Sequence, residues 1–427
     1  MSDNDLIALE AREIAARVAG GTLTVERVAR AFLDRIAERE PLVGAWIHHD
    51  PAAVLAAARA LDRAGAPGPL AGFMLAVKDV IDTVDMPTCY GSPAYPGVRP
   101  PWDAACVALS RDAGALVLGK TVTTEFAILS PGKTRNPHNP AHTPGGSSSG
   151  SAAAVGAAMA HVGFGTQTTG STIRPAAFCG AVGCKPSFGI VNRFGVKTLA
   201  DSLDTVGIIG RSVRDVAWFT SVIAARPALA VTETPAPRIG IFATSTWDLA
   251  EPATRDALDR AAMALATDGA QVVDVAVPAW FHGIHQAQDH VMAWEVARAL
   301  AHERLHLLDR LTAKTRDYLP ARLAVTPEQY DAAQAAAQDG RARLGELFAD
   351  CDVLLTPAAP GEAPSGLDTT GNPVFNRPWT MLHVPCVTVP AGTGPGGLPM
   401  GVQLVGRIGE DARVFAAAAF LEDALKT

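Results

Sequence analysis

The sequence predicts a single α/β body whose sheet is assembled from segments far apart in the chain. Three observations carry this. Short apolar strands occur early, at residues 73–77, and late, at 385–389 and 401–405, with helical stretches between them. Residues 238–277 alternate strand (238–242), helix (252–268) and strand (271–277), at the spacing of a right-handed crossover. No internal repeat or low-complexity tract divides the 427 residues, and 48% of them are hydrophobic, so a large core can form.

The elements follow in order. Residues 5–18 and 24–38 read as amphipathic helices; in the second, Thr24 can cap, while Val25, Val28, Phe32, Leu33 and Ile36 share one face. Residues 51–63 form an alanine-rich helix, and Pro67-Gly68-Pro69 breaks the pattern. Residues 73–77 then read as a buried strand ending at Lys78-Asp79. A helix and a strand at 115–118 follow within 103–121. Residues 151–160, Ser-Ala-Ala-Ala-Val-Gly-Ala-Ala-Met-Ala, favour helix and lack a polar face, so that helix must be buried. After a short run at 162–166, residues 191–213 are loop-rich, and a helix capped by Ser212 runs to Ala224. Residues 283–349 are largely helical, 352–356 is a strand running into Pro357, and 413–425 closes the chain as a helix.

The formal net charge of −7 leaves no basic footprint for nucleic acid or an anionic membrane. The N-terminus, Met-Ser-Asp-Asn-Asp-Leu, lacks the basic region and apolar run of a signal peptide, and no apolar run approaches the ~20 residues that span a bilayer. The six cysteines (Cys89, Cys106, Cys179, Cys184, Cys351, Cys386) show neither disulfide nor zinc spacing. The expectation is a cytoplasmic chain with reduced thiols and no metal or other cofactor.

Three short motifs match known sites in letters but not in context. Gly114-Ala-Leu-Val-Leu-Gly119-Lys120-Thr121 has the phosphate-loop pattern, yet its middle residues are themselves the strand, whose N–H groups are committed to its neighbours. Gly146-Ser147-Ser148-Ser149-Gly150 has the nucleophile-elbow pattern centred on Ser148. An elbow needs a preceding strand, and residues 136–144 carry three prolines instead. His302-Glu303-Arg304-Leu305-His306 has the zinc-protease pattern, but Arg304 adds a cation and no third ligand is evident, so a solvated helix face is expected. Lys78 is harder to place. Directly after an apolar strand, it either snorkels or pairs with Asp79 or Asp82, or it is a buried amine with a lowered pKa, able to act as a base.

Residues 143–175 organise the chain: two serine-bearing, glycine-flanked turns joined by the small-residue helix and the short run. Glycine before serine lets the backbone present a hydroxyl or a row of N–H groups. A flexible linker is the alternative, but the first turn leads straight into the buried helix.

Together with Leu75-Ala-Val-Lys78-Asp79, Pro144-Gly-Gly-Ser147-Ser-Ser-Gly-Ser151 and Gln167-Thr-Thr-Gly-Ser171-Thr-Ile-Arg174-Pro175 resemble the amidase signature family of serine hydrolases. Gly119-Lys-Thr with Glu125-Phe126, Cys179-Gly-Ala-Val-Gly-Cys-Lys185-Pro186-Ser187, Ser202-Leu-Asp-Thr-Val-Gly207 and Gly397-Leu-Pro-Met-Gly-Val-Gln-Leu-Val-Gly406 add to the match. The resemblance implies one domain over 1–427 with a large mixed sheet flanked by helices on both faces. Residues 1–65 would supply N-terminal helices, 70–215 the signature core, 216–370 a more variable part, and 376–422 the strands and helix that complete the core. It also implies a Ser-Ser-Lys triad: Ser171 as nucleophile, Ser147 in a cis peptide as the bridge, and neutral Lys78 as the ultimate base. Backbone N–H groups of Thr168, Thr169, Gly170 and Ser171 would form the oxyanion hole. The physical reading agrees, since serine is a weak nucleophile until a base takes its proton, and lysine can do so only if burial lowers its pKa. Thr169 stands where the family commonly has glycine, so its φ is expected to be negative, with the N–H still pointing inward.

Arg174, three residues after Ser171, is similar in placement to that of malonamidase-type members, and it could fork onto a substrate carboxylate. The expected substrate is a small carboxylate-bearing monoamide such as malonamate, hydrolysed to acid and ammonia; in the alternative, Arg174 is a structural ion-pair partner facing away from the pocket. Two other functions stay open: an amidotransferase subunit supplying ammonia to a partner, and, remotely, a nucleotide-binding ATPase using Gly114 to Thr121. The same resemblance suggests a homodimer.

Overall fold

The buried alanine-rich helix needs a sheet to lie on, and the chain builds one from most of its length. The computed structural model describes residues 2–65 and 68–426. Among these, the strands are β1 (Trp46–His49), β2 (Met74–Lys78), β3 (Leu116–Thr121), β4 (Val162–Gln167), β5 (Val182–Lys185), β6 (Thr205–Gly210), β7 (Arg238–Ile241), β8 (Gln271–Asp274), β9 (Val353–Pro357), β10 (Cys386–Thr393) and β11 (Pro399–Val405). They form one mixed sheet in the order β1-β3-β2-β4-β6-β5-β10-β11-β9-β7-β8. β3, β2 and β4 run parallel, as do β9, β7 and β8, and the strands between β4 and β9 pair antiparallel. The expected large mixed sheet flanked by helices is therefore present.

Alternation along β2 divides the core. Leu75 and Val77 join Phe164, Ile208 and Phe219 on one face, with helices Val213–Ile223, Pro252–Thr267 and Asp411–Ala424. Met74 and Ala76 join Phe32, Leu118 and the alanines 152–154 on the other, with helices Val25–Val43 and Ser149–Gly156. Because β2 and β4 are parallel, Lys78 and residues 168–171 leave the sheet at the same end, where ligands bind in parallel sheets.

Several expectations need correction. The helix at 5–18 is two, Asp3–Ala8 and Ala11–Ala19, because the Asp215 carboxylate accepts the N–H groups of Ala11 and Arg12 and restarts the helix there. The helix placed at 151–160 is Ser149–Gly156 and ends in a turn with Ala158 at φ 56°. The loop-rich stretch 191–213 contains β6, a glycine-bearing strand without clear alternation. β1, β5 and the helix Ile173–Phe178 are additions to the expected elements; each is short, and β5 and the helix are buried by distant segments. Pro67 of the expected turn lies outside the described residues. No helix among the described residues is long and apolar enough to cross a membrane.

Two glycines let the turn after β4 sink into the sheet. The side chain of Thr172 lies against Gly165 of β4 and Gly207 of β6, and a Cβ on Gly207 would collide with Thr172. Gly207→Ala is therefore expected to overpack the site by ~1–3 kcal/mol. Thermal unfolding should show a lower midpoint, and amide turnover should fall because Thr172 adjoins Ser171; an unchanged variant on both measures would refute this.

Candidate active site

β2 delivers Lys78 into the interior with no exposed surface. Its Nζ lies 2.7 Å from Ser147 Oγ and 2.7 Å from Thr166 Oγ1, and no carboxylate among the described residues forms an ion pair with it. Burial pushes its pKa well below the ordinary 10.5, against the opposing charge of Asp204. In the neutral form the Ser147 hydroxyl can donate to Nζ while Nζ donates to Thr166. Lys120 shows the contrast. Equally buried, it lies 3.4 Å from the Asp79 carboxylate and also donates to Thr88, so the phosphate-loop lysine is committed to a structural pair inside β3.

Ser147 follows a cis peptide from Gly146, as the resemblance implies. Gly145, at φ 80°, packs against Pro175, and the Gly146 carbonyl accepts Arg174 Nη2 at 2.6 Å. The Ser148 N–H donates to the Ser171 carbonyl at 3.3 Å, joining the two serine turns through their backbones. Ser171 lines the pocket and its hydroxyl makes no hydrogen bond among the described residues, so the expected Ser147–Ser171 contact is not formed in this structure. Ser148 is no nucleophile elbow: its buried hydroxyl faces the Thr166 backbone.

The stretch 168–171 has every carbonyl held from outside. Gln288 Nε2 donates to the Thr168 carbonyl, Thr380 Oγ1 to that of Thr169, the Arg174 N–H to that of Gly170, and the Ser148 N–H to that of Ser171. The N–H groups of the same four residues donate to no acceptor among the described residues. Such a row of fixed, unpaired donors is what an oxyanion requires, and losing one donor typically costs ~3–4 kcal/mol. Thr169 does not take a positive φ, so threonine fits without strain. Gly170 is needed for space: a Cβ there would meet Asn376. Asp204 accepts the Thr168 hydroxyl at 2.6 Å, with its pKa raised to about 6 by burial.

The resulting cavity, about 240 Å³, is lined by Thr168, Thr169, Ser171 and Arg174, by residues 127–129, and by Asp289, Met292, Tyr318, Arg322 and Arg377. Arg174, only 3% exposed, is among the residues that line the pocket. Its Nε and Nη2 bind the Thr370 carbonyl and the Gly146 carbonyl, it has no carboxylate partner among the described residues, and Nη1 is buried without a hydrogen bond. A larger cavity of about 460 Å³ beside helix Pro51–Ala64 shares no residue with this site. Glu303 of the zinc-protease pattern is not on a solvated face: it is buried, bound to Lys197 at 2.6 Å and Tyr95 at 2.7 Å, while the two histidines and Leu305 are exposed. No group of three or more potential metal ligands occurs among the described residues.

Sequence reasoning missed Thr166, Asp204, Gln288, Thr380 and Arg377. Thr166 and Asp204 sit inside matched segments, but nothing in the letters shows that they face Lys78 or Thr168. Gln288 is 120 positions from Thr168 and carries no local signal.

Fold and site together define a hydrolase acting on amide C–N bonds. The chain belongs to the amidase family, which it matches over residues 27–415. It is 34% identical to a glutamyl-tRNA(Gln) amidotransferase subunit of Acidothermus cellulolyticus, covering 99% of this chain and 95% of that protein. The corresponding subunit of Geobacter metallireducens is 33% identical, covering 97% of each. A crystal structure of an amidase superposes with a TM-score of 0.89 at 30% identity over 97% of this chain and 99% of that one. The peptide amidase of Stenotrophomonas maltophilia does so at 0.82 and 29% identity, over 98% and 97%.

If Lys78 acts as the base, kcat/KM should rise with pH through a group well below the ordinary lysine value. Asp204 favours the ammonium form, so its removal lowers the Lys78 pKa further. Asp204→Asn is expected to move the acid limb to lower pH, read above about pH 6, where Asp204 is ionised. A limb that stays in place or moves to higher pH would count against the assignment.

Proposed function

We propose that the chain is a serine amidase releasing ammonia from a small, carboxylate-bearing primary amide such as malonamate. The observation that carries this is the desolvated Lys78 amine bound to Ser147 beneath a pocket that Ser171 lines. Ser171 Oγ attacks the amide carbonyl as its proton passes through Ser147 Oγ to Lys78 Nζ. The N–H groups of 168–171 hold the oxyanion. Lys78 returns the proton through Ser147 to the leaving nitrogen, ammonia departs, and water, deprotonated along the same path, hydrolyses the acyl-enzyme.

Arg174 supports the acidic acyl group. A guanidinium stays protonated at neutral pH even where burial and Arg377 push its pKa down to about 9, so its charge lacks a counter-ion that a substrate carboxylate can supply. A cavity of about 240 Å³ is below the ~300 Å³ at which drug-sized sites begin, which favours a small substrate.

The curated relatives favour a second reading, in which the chain is part of an amidotransferase and frees ammonia for a partner. Two features lean the other way. The aligned stretch is longer than this chain, so the relative carries segments with no counterpart here. Glutamine would bring an ammonium group, and the only carboxylate lining the pocket among the described residues, Asp289, already faces Arg377 and Arg322.

The test is ammonia release by the purified chain alone from malonamate, glutamine and propionamide, with Ser171→Ala as the blank. Malonamate turnover well above propionamide, lost in Ser171→Ala, is expected. Glutamine turnover that appears only with a partner would replace this reading with the second. Arg174→Gln should lower kcat/KM for malonamate about 10- to 100-fold more than for propionamide.

A further inference from the structure

We propose that Arg377 is a second carboxylate receptor and that Gln288 couples it to the oxyanion loop, an inference that rests on the reading of the site as an amidase for carboxylate-bearing amides. Arg377 lines the pocket and is weakly engaged. Its Nη1 lies 3.4 Å from Asp289 Oδ1 and 3.4 Å from Gln288 Oε1, both long for charge-assisted contacts, and its other side-chain N–H groups bind nothing among the described residues. Arg322, stacked on Tyr318 at 4.2 Å, approaches the same Asp289 at 3.9 Å. Arg174, Arg322 and Arg377 thus line the pocket with one carboxylate, half exposed and approached only by Arg322 and Arg377, which leaves the pocket an excess of positive charge for an anionic substrate.

Gln288 is fully buried and has two different ends. Its Oε1 faces Arg377, and its Nε2 donates to the Thr168 carbonyl at 3.2 Å and to Thr169 Oγ1 at 3.3 Å. A primary amide can flip, and the flipped form would set Oε1 against the Thr168 carbonyl, two acceptors facing each other. A cation beside Oε1 forbids the flip. A substrate carboxylate that fixes the Arg377 fork therefore also fixes the amide that holds the Thr168 peptide in place. Arg377 further begins the helix Arg377–Met381, whose Thr380 holds the Thr169 carbonyl. Gln288 is a positioning residue here, and the bound carboxylate acts on kcat as well as on KM.

The experiment is a double-mutant cycle of Arg377→Gln and Gln288→Met read with malonamate and propionamide. Arg377→Gln is expected to lower the ratio of kcat/KM for malonamate over propionamide about 10- to 100-fold, part of it in kcat. That fall in kcat should vanish in the Gln288→Met background while the rise in KM persists. An unchanged ratio, or the same fall in kcat in both backgrounds, overturns the proposal. If the wild type hydrolyses neither amide, the amidase reading itself fails, and malonate affinity of Ser171→Ala measured by calorimetry still decides this one. A loss of about tenfold in Arg377→Gln that persists in the Gln288→Met background, as the rise in KM does, supports it, and an unchanged affinity overturns it.

Discussion

Desolvation of one amine is the constraint on which the site depends. An ammonium group withdrawn from water without a carboxylate partner is strongly disfavoured, and a lysine escapes by losing its proton. Lys78 is in that position because β2 is a central strand covered on both faces, and its close partners are two hydroxyls. Arginine has no such escape, since its guanidinium stays charged. Arg174 meets the same burial with three backbone and hydroxyl acceptors and an idle Nη1. One kind of environment thus pushes the Lys78 pKa well down and leaves Arg174 a cation without a carboxylate partner among the described residues.

The loop at 168–171 is governed by a different rule, the orientation of peptide planes. A plane whose carbonyl is bound from outside must turn its N–H the other way. Donors from residues 148, 174, 288 and 380 hold the four carbonyls of 168–171, and these donors come from four separate segments. Preorganisation here is a property of the tertiary fold and not of the turn that carries the N–H groups.

That difference explains what can be read from the letters. Lys78, Ser147 and Ser171 stand in local patterns, an apolar run ending in lysine and glycines before serines, but Lys78 alone is ambiguous and the three read as a set only through the family resemblance. The strand at 73–77 is legible because five apolar residues in a row, Phe73-Met-Leu-Ala-Val77, have few other uses. β6 is not, because Thr205-Val-Gly-Ile-Ile-Gly210 owes its glycines to Thr172 and Val216, which a Cβ on Gly207 or Gly210 would meet, and not to a turn. Nor is the break at Leu9-Glu10, which is set by a carboxylate more than 200 residues away. The burial of Glu303 is hidden for the same reason: its partners Lys197 and Tyr95 lie far from it in sequence.

The division within the pocket follows the same line. The amine, the hydroxyls and the row of N–H groups come from residues 78–171, whereas Asp289, Met292, Tyr318 and Arg322 come from the helical stretch beyond 280. The first set must meet one reaction geometry, so its spacing is tightly constrained. The second set must only enclose and balance a particular acyl group, and a helix can do that with many side chains. A sequence therefore announces the bond that is broken more clearly than the molecule that contains it. In this chain the charge that surrounds that molecule is a balance of three guanidinium groups against one carboxylate, which becomes visible only when the segments are brought together.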